Sequence, residues 1–145
     1  MRYLDTSSLV ALYYPEPTSA RLVALLTDRP RPLAYTWLHE VEFANGLHLK
    51  LFRKEASLTS VNATLNHLRG DAASGVLQWM HPSWPTVFSD ALRLAVTHSR
   101  ALGTRTLDLF HVAAALALRA DEFVTGDARQ AKVAAKEGLR VVRLT

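Results

Sequence analysis

The chain contains no cysteine. Disulfides, thiolate nucleophiles and cysteine-held metals are therefore excluded, and the absence fits a reducing compartment. Glycine and proline are sparse, six of each in 145 residues, and they do not gather into a linker. Neither an internal repeat nor a low-complexity tract divides the sequence, so one domain over residues 1–145 is expected. No stretch approaches the roughly 18 apolar residues of a membrane span, and Asp5 breaks the first apolar run too early for a secretory signal. A cytoplasmic protein without a membrane partner is expected. Familiar catalytic signatures are missing too. There is no G-x-x-x-x-G-K-S/T loop and no G-x-S-x-G elbow, and in "HEVEF" the second His of an H-E-x-x-H helix would fall at Phe43.

What is present is a globular composition, 49% hydrophobic and 21% charged. The net charge is +4 and the pI about 9.8, with Arg well in excess of Lys. Arg suits bidentate contact with phosphate, so an anionic partner and plain solubility are both compatible with this charge.

Short apolar or β-branched runs at residues 3–4, 33–35, 76–79, 122–125 and 139–144 read as buried strands. Helical patterns lie between them. Thr18 can cap a helix carrying Leu22, Val23, Leu25 and Leu26, and Thr36 a longer one from Trp37 to Leu51. Ser57 precedes a stripe of Leu58, Val61, Leu65 and Leu68 that should stop near Gly70. Val87 to Ala95 repeats that logic ahead of Gly103, residues 107–118 are apolar almost all round, and a last helix from about Ala128 to Lys136 stops at Gly138. Strands alternating with helices imply an α/β fold with a mostly parallel sheet covered on both faces. Such sheets bind ligands at the carboxyl ends of their strands.

Four acids fall at that edge. Asp5 follows the first strand, Asp127 follows "FVT", Asp108 opens the apolar helix and Glu42 lies early in the Trp37 helix. Each also has a plainer reading: Asp5 and Asp127 as helix caps, Asp108 as a first-turn acid favoured by the helix dipole, Glu42 as part of a solvated face. Glu40 competes with Glu42, because residues two apart on a helix point roughly 200° apart and only one can face the site. Spacing alone does not choose between them. Two carboxylates about 4 Å apart repel by roughly 4 kcal/mol at an effective dielectric near 20, so a converging set needs a cation. Oxygen donors without Cys or a His pair favour Mg²⁺ or Mn²⁺ over Zn²⁺. His111, three residues after Asp108, reads as a satisfied buried histidine rather than a base.

With those residues located, four segments resemble a known family. "YLDTSSLVALYYPEP", "EFANGL" from Glu42, "LGTRTLDLFHVAAAL" around Asp108 and "EFVTGDARQAKVAAKEGL" around Asp127 are similar, in order and over nearly the whole chain, to PIN domains. More narrowly they resemble VapC-type toxin ribonucleases of toxin–antitoxin pairs. The resemblance implies a PIN-like three-layer sandwich with a five-stranded, mostly parallel sheet flanked by helices. It implies a catalytic pocket of Asp5, Glu42, Asp108 and Asp127, with Asp5 and Asp108 the main ligands of Mg²⁺ or Mn²⁺ and the other two completing the set directly or through water. Thr6 and Thr125 would be supporting hydroxyls. It also implies an RNA substrate, a homodimer and a cognate antitoxin, for which Leu22, Leu25, Leu26 and the Trp37 segment offer candidate surfaces. One departure is Gly46, where the family more often has Ala.

Two other functions remain open from the sequence. An RNA-binding module could keep the fold without hydrolysis. An aspartyl-phosphate phosphatase also ends its first strand in Asp, but it resembles its relatives in placing a second Asp two residues later, where this chain has Ser7.

Overall fold

The structure, a computed structural model, describes residues 1–144. Its five strands are β1 (Arg2–Leu4), β2 (Leu33–Tyr35), β3 (Leu77–Trp79), β4 (Glu122–Thr125) and β5 (Val141–Arg143). They form one sheet in the order β3-β2-β1-β4-β5, with every neighbouring pair parallel. The three central strands, β2, β1 and β4, are fully buried, and the edge strands β3 and β5 only partly.

Side-chain alternation assigns the two faces. Leu4, Tyr35, Leu77 and Val124 point to one side, where they pack with α1 (Thr6–Tyr13), α2 (Ser19–Asp28), α3 (Trp37–Phe52) and α4 (Leu58–Ser74). Tyr3, Ala34 and Phe123 point to the other, against α5 (Trp84–Leu94), α7 (Thr106–Ala117) and α8 (Ala128–Lys136). Between α5 and the short α6 (Arg100–Leu102), residues Ala95–Ser99 form a π-helical turn. Helices, sheet and helices make three layers, and the register Tyr3↔Phe123, Leu4↔Val124 keeps each face continuous.

Most helix limits follow the sequence signals. Gly103 and Gly138 end helices in the left-handed region, at φ 62° and 86°. Ser57 caps α4, its Oγ accepting from the Ser60 N–H at 3.1 Å. Three expectations need correction. The stop expected at Gly70 does not occur; α4 runs on to Ser74 and ends at Gly75, whose φ of 84° is the conformation a helix stop requires. Thr18 stands at the start of α2 but makes no side-chain cap; instead Ser19 Oγ accepts from the Glu16 N–H and donates to the Ala11 carbonyl. The stretch after Asp5, expected only as a capped segment, is a full helix of 8 residues.

At the amino edge of the sheet, Arg2 and Glu122 face each other in register on β1 and β4, both fully buried. Arg2 Nε donates to Glu122 Oε2 at 2.7 Å, and Arg140 and Arg31 approach the other oxygen at 3.3 and 3.9 Å. This ion pair lies at the edge opposite the acids. No helix among the described residues is long and apolar enough to cross a membrane.

Candidate active site

At the carboxyl edge of the sheet a cavity of ≈ 710 Å³ opens, and Asp5, Glu42, Asp108 and Asp127 all line it. Parallel topology explains the convergence. β1 and β4 end on this edge, and α7 and α8 begin there. The capping readings of Asp5 and Asp127 hold at the same time. Asp5 accepts the Ser8 N–H at 2.7 Å as the cap of α1, and Asp127 accepts the Arg129 and Gln130 N–H groups at 2.7 and 2.9 Å as the cap of α8. A capping carboxylate spends one oxygen on the backbone and keeps the other for further partners.

Asp5 is only 4% exposed, and hydroxyls surround it. Thr125 Oγ1 donates to Oδ2 at 2.7 Å, and Ser7 Oγ reaches both oxygens at 3.0 and 3.1 Å. Thr125 also accepts from the Asp127 N–H at 2.9 Å, so one hydroxyl ties the two acids' positions together. Thr6 serves Glu42, donating to its Oε2 at 2.8 Å.

The Glu40–Glu42 ambiguity is removed by placement. Glu40 points away from the cavity and accepts a hydrogen bond from the buried Tyr35 hydroxyl, while Glu42 lines the cavity. Glu42 is held by a chain that begins in the core: Tyr3 Oη lies 2.9 Å from His111 Nδ1, and His111 Nε2 meets the Glu42 carboxylate and lies 2.9 Å from Thr6 Oγ1. The Tyr3 phenol is held well above its usual pKa, mainly by burial. It therefore stays protonated, and Tyr3 and Glu42 between them engage both ring nitrogens of His111. Burial pushes the Glu42 carboxyl up, but His111, Thr6 and the nearby Arg105 charge together hold it below the usual glutamate value. His111 is buried with both ring nitrogens engaged, as expected, and it also touches the site.

Several site residues carried no sequence signal. Arg105 lies across the mouth, bonded to Asp108 and 3.6 Å from Asp127 Oδ2. Gln130, buried under the cavity, donates from Nε2 to the Asp108 carbonyl at 3.3 Å. Arg105 stands three residues before Asp108 and Gln130 three after Asp127, and that helical spacing to a recognised acid is the one signal that could have picked them out.

Among the described residues, no three His, Cys, Asp or Glu side chains are drawn together closely enough to hold a metal ion unaided. The donor chemistry nevertheless fits a hard divalent cation, because Mg²⁺ commonly takes only one or two carboxylates and fills the rest of its shell with water or phosphate. Asp5 and Asp108, both buried and both on the cavity wall, carry donors of that type.

The family model for the PIN domain matches residues 2–136. The chain belongs to the PIN domain family. This PIN domain is similar in structure to FitAcB from Neisseria gonorrhoeae, at 18% identity and TM-score 0.67 over 99% of this chain and 98% of that one. It is also similar to Mycobacterium tuberculosis VapC20, described as a sarcin-ricin loop cleaving toxin, at 15% identity and TM-score 0.70 over 99% of each chain. VapBC-1 from nontypeable Haemophilus influenzae is a third neighbour, at 18% identity, TM-score 0.62 and coverage of 99% and 98%. No curated protein matches by sequence. The five-stranded, mostly parallel sheet expected from the sequence is observed, with every pair parallel, in a PIN-like fold.

Proposed function

We propose that this PIN domain is a metal-dependent endoribonuclease and the toxin of a toxin–antitoxin pair. The observation that carries the reading is the meeting of Asp5, Glu42, Asp108 and Asp127 around one cavity, each held by neighbours that fix its carboxylate. VapC20, similar in fold, is described as a cleaving toxin, which supports RNA as the substrate class here.

Asp5 and Asp108 would hold Mg²⁺ or Mn²⁺, with Glu42 and Asp127 completing the set directly or through water. When bound, the ion supplies positive charge for the scissile phosphate and lowers the pKa of a water. The protein's own groups do the rest. Thr125, Ser7 and the Ser8 N–H orient Asp5, and Thr6 and His111 orient Glu42, so the carboxylates need no rearrangement as charge develops. Glu42 stays ionised through the neutral range, so it keeps its negative charge on the cavity wall where a cation would sit.

The phosphatase reading loses support from Ser7, which occupies the position of the required second acid and spends its hydroxyl on Asp5. A cytoplasmic homodimer bound by an antitoxin remains part of the proposal. Leu22 is fully buried and leaves the list of surface candidates, and Leu25 and Leu26 pack against the core. Trp37, Val41, Phe88 and Leu107 stay exposed and line a second, apolar hollow. The test is incubation with structured cellular RNA in Mg²⁺, in Mn²⁺ and in EDTA, beside Asp108→Asn. Discrete cleavage that needs both the ion and Asp108 is expected; cleavage that survives EDTA or the substitution overturns the mechanism.

A further inference from the structure

The cavity is longer than its acids need. Beyond Glu42 its wall is one stripe of α3, formed by Asn45, Gly46, Leu49, Lys50 and Arg53. Steps of three and one along a helix keep these residues on one face. At 1.5 Å per residue the stripe extends about 16 Å from Glu42 to Arg53, and its character changes from acid to cation along the way.

The far end carries Lys50, Arg53 and Glu16, two positive charges against one negative. Lys50 Nζ is held by Glu16 Oε1 at 2.5 Å and lies 5.1 Å over the Tyr14 ring, which fixes it on the cavity rim. Arg53 follows at the exposed carboxyl end of α3. Midway, a side chain at Gly46 would meet nothing within 4 Å, so the track is open between acid and cation.

We propose that this α3 stripe seats the backbone of single-stranded RNA, with Lys50 and Arg53 binding phosphates one or more nucleotides from the bond at the acids. The inference rests on the nuclease reading and names its substrate-binding residues. A lone nucleotide at the acids would not reach Lys50, some 12 Å along the helix. A strand whose charges repeat along a line reaches both ends. The acid cluster repels phosphate, so cations displaced along the track supply affinity without competing for Asp5 and Asp108.

The test reads binding, not cleavage. Fluorescence anisotropy of labelled single-stranded RNA is followed in EDTA on the Asp108→Asn protein, with and without Lys50→Ala and Arg53→Ala. Loss of both cations should weaken binding on the order of tenfold near 100 mM salt and flatten the log–log salt dependence by about 1.4, at ~0.7 per phosphate contact. A control pair, Lys136→Ala and Arg140→Ala, lies at the opposite edge, where α8 ends and β5 begins. Equal weakening by that pair, or unchanged affinity after loss of Lys50 and Arg53, overturns the seat and leaves these cations to a protein partner. The two readings fail separately: RNA cut normally but bound without Lys50 and Arg53 keeps the nuclease and loses the seat. RNA bound through both cations but never cut does the reverse.

Discussion

Arg105 grips Asp108 from one helical turn away, Nε to Oδ2 at 2.9 Å and Nη2 to Oδ1 at 3.2 Å. The same guanidinium stands 3.6 Å from Asp127, and the bonds and charge of Asp108, with Asp127 and Glu42 behind it, raise its pKa above the ordinary arginine value. It is the counter-charge of the acid cluster. Any divalent ion drawn to Asp108 must share that carboxylate with it.

Arg105→Ala is therefore expected to bind Mn²⁺ more tightly than the parent protein in the absence of RNA. The gain should be only a few-fold, because an exposed, screened pair is worth ~1 kcal/mol or less, and Arg105 is 72% exposed. Isothermal titration at low and high salt measures it. Equal or weaker ion binding by the variant would show that the arginine assists the ion and does not oppose it.

His39 provides a pH dependence unconnected with catalysis. Its ring is fully buried; Nδ1 accepts from the Thr36 N–H at 3.1 Å, and Nε2 donates to the Leu4 carbonyl at 2.8 Å. Burial, then the neighbouring His111, lower its pKa from 6.5 to about 3, against the pull of the Leu4 carbonyl. The unfolded chain thus takes up a proton on His39 between those values and the folded chain does not. Stability from this group is complete above pH 6.5 and falls as pH drops toward 3, by ~1.4 kcal/mol per unit. Denaturant melts of metal-free protein across that range should show the slope, and His39→Gln should reduce it at some cost in stability.

Legibility divided along the line between local and long-range signals. Strands such as 122–125 and the edge on which Asp5, Asp108 and Asp127 meet followed from run length and parallel topology, because those are set by the chain's own spacing. The choice of Glu42 did not, since it depends on Glu40 being taken by Tyr35 across the packed face of α3. Thr125 reaching Asp5, 120 positions away, leaves no periodic trace. Gly70 and Gly75 look alike as stop signals; only the backbone dihedral tells them apart.

The Arg2–Glu122 pair should behave as a buried ion pair whose partners cannot be removed singly. Glu122→Ala would leave Arg2 charged and buried between β1 and β4, at a cost of about 3–5 kcal/mol. Replacing both by apolar residues of similar volume should recover most of that loss. Urea melts of the single and double variants measure the difference, and a mild effect of Glu122→Ala would mean that water reaches Arg2.

Gly46 tests the opposite direction, a substitution that stabilises. The residue lies inside α3, where glycine costs up to about 1 kcal/mol relative to alanine because its backbone has more freedom to lose. A methyl group there meets nothing within 4 Å, and Gly46 is not among the glycines with positive φ, so neither contact nor backbone strain opposes the change. Gly46→Ala should therefore raise stability by ~0.5–1 kcal/mol, read as a higher denaturation midpoint with an unchanged m-value. Because the methyl would project toward the cavity, RNA affinity serves as the second readout. Stabilisation with unchanged RNA binding means the track has room to spare. Stabilisation with weakened binding means that the open space at position 46 is filled by the nucleic acid itself.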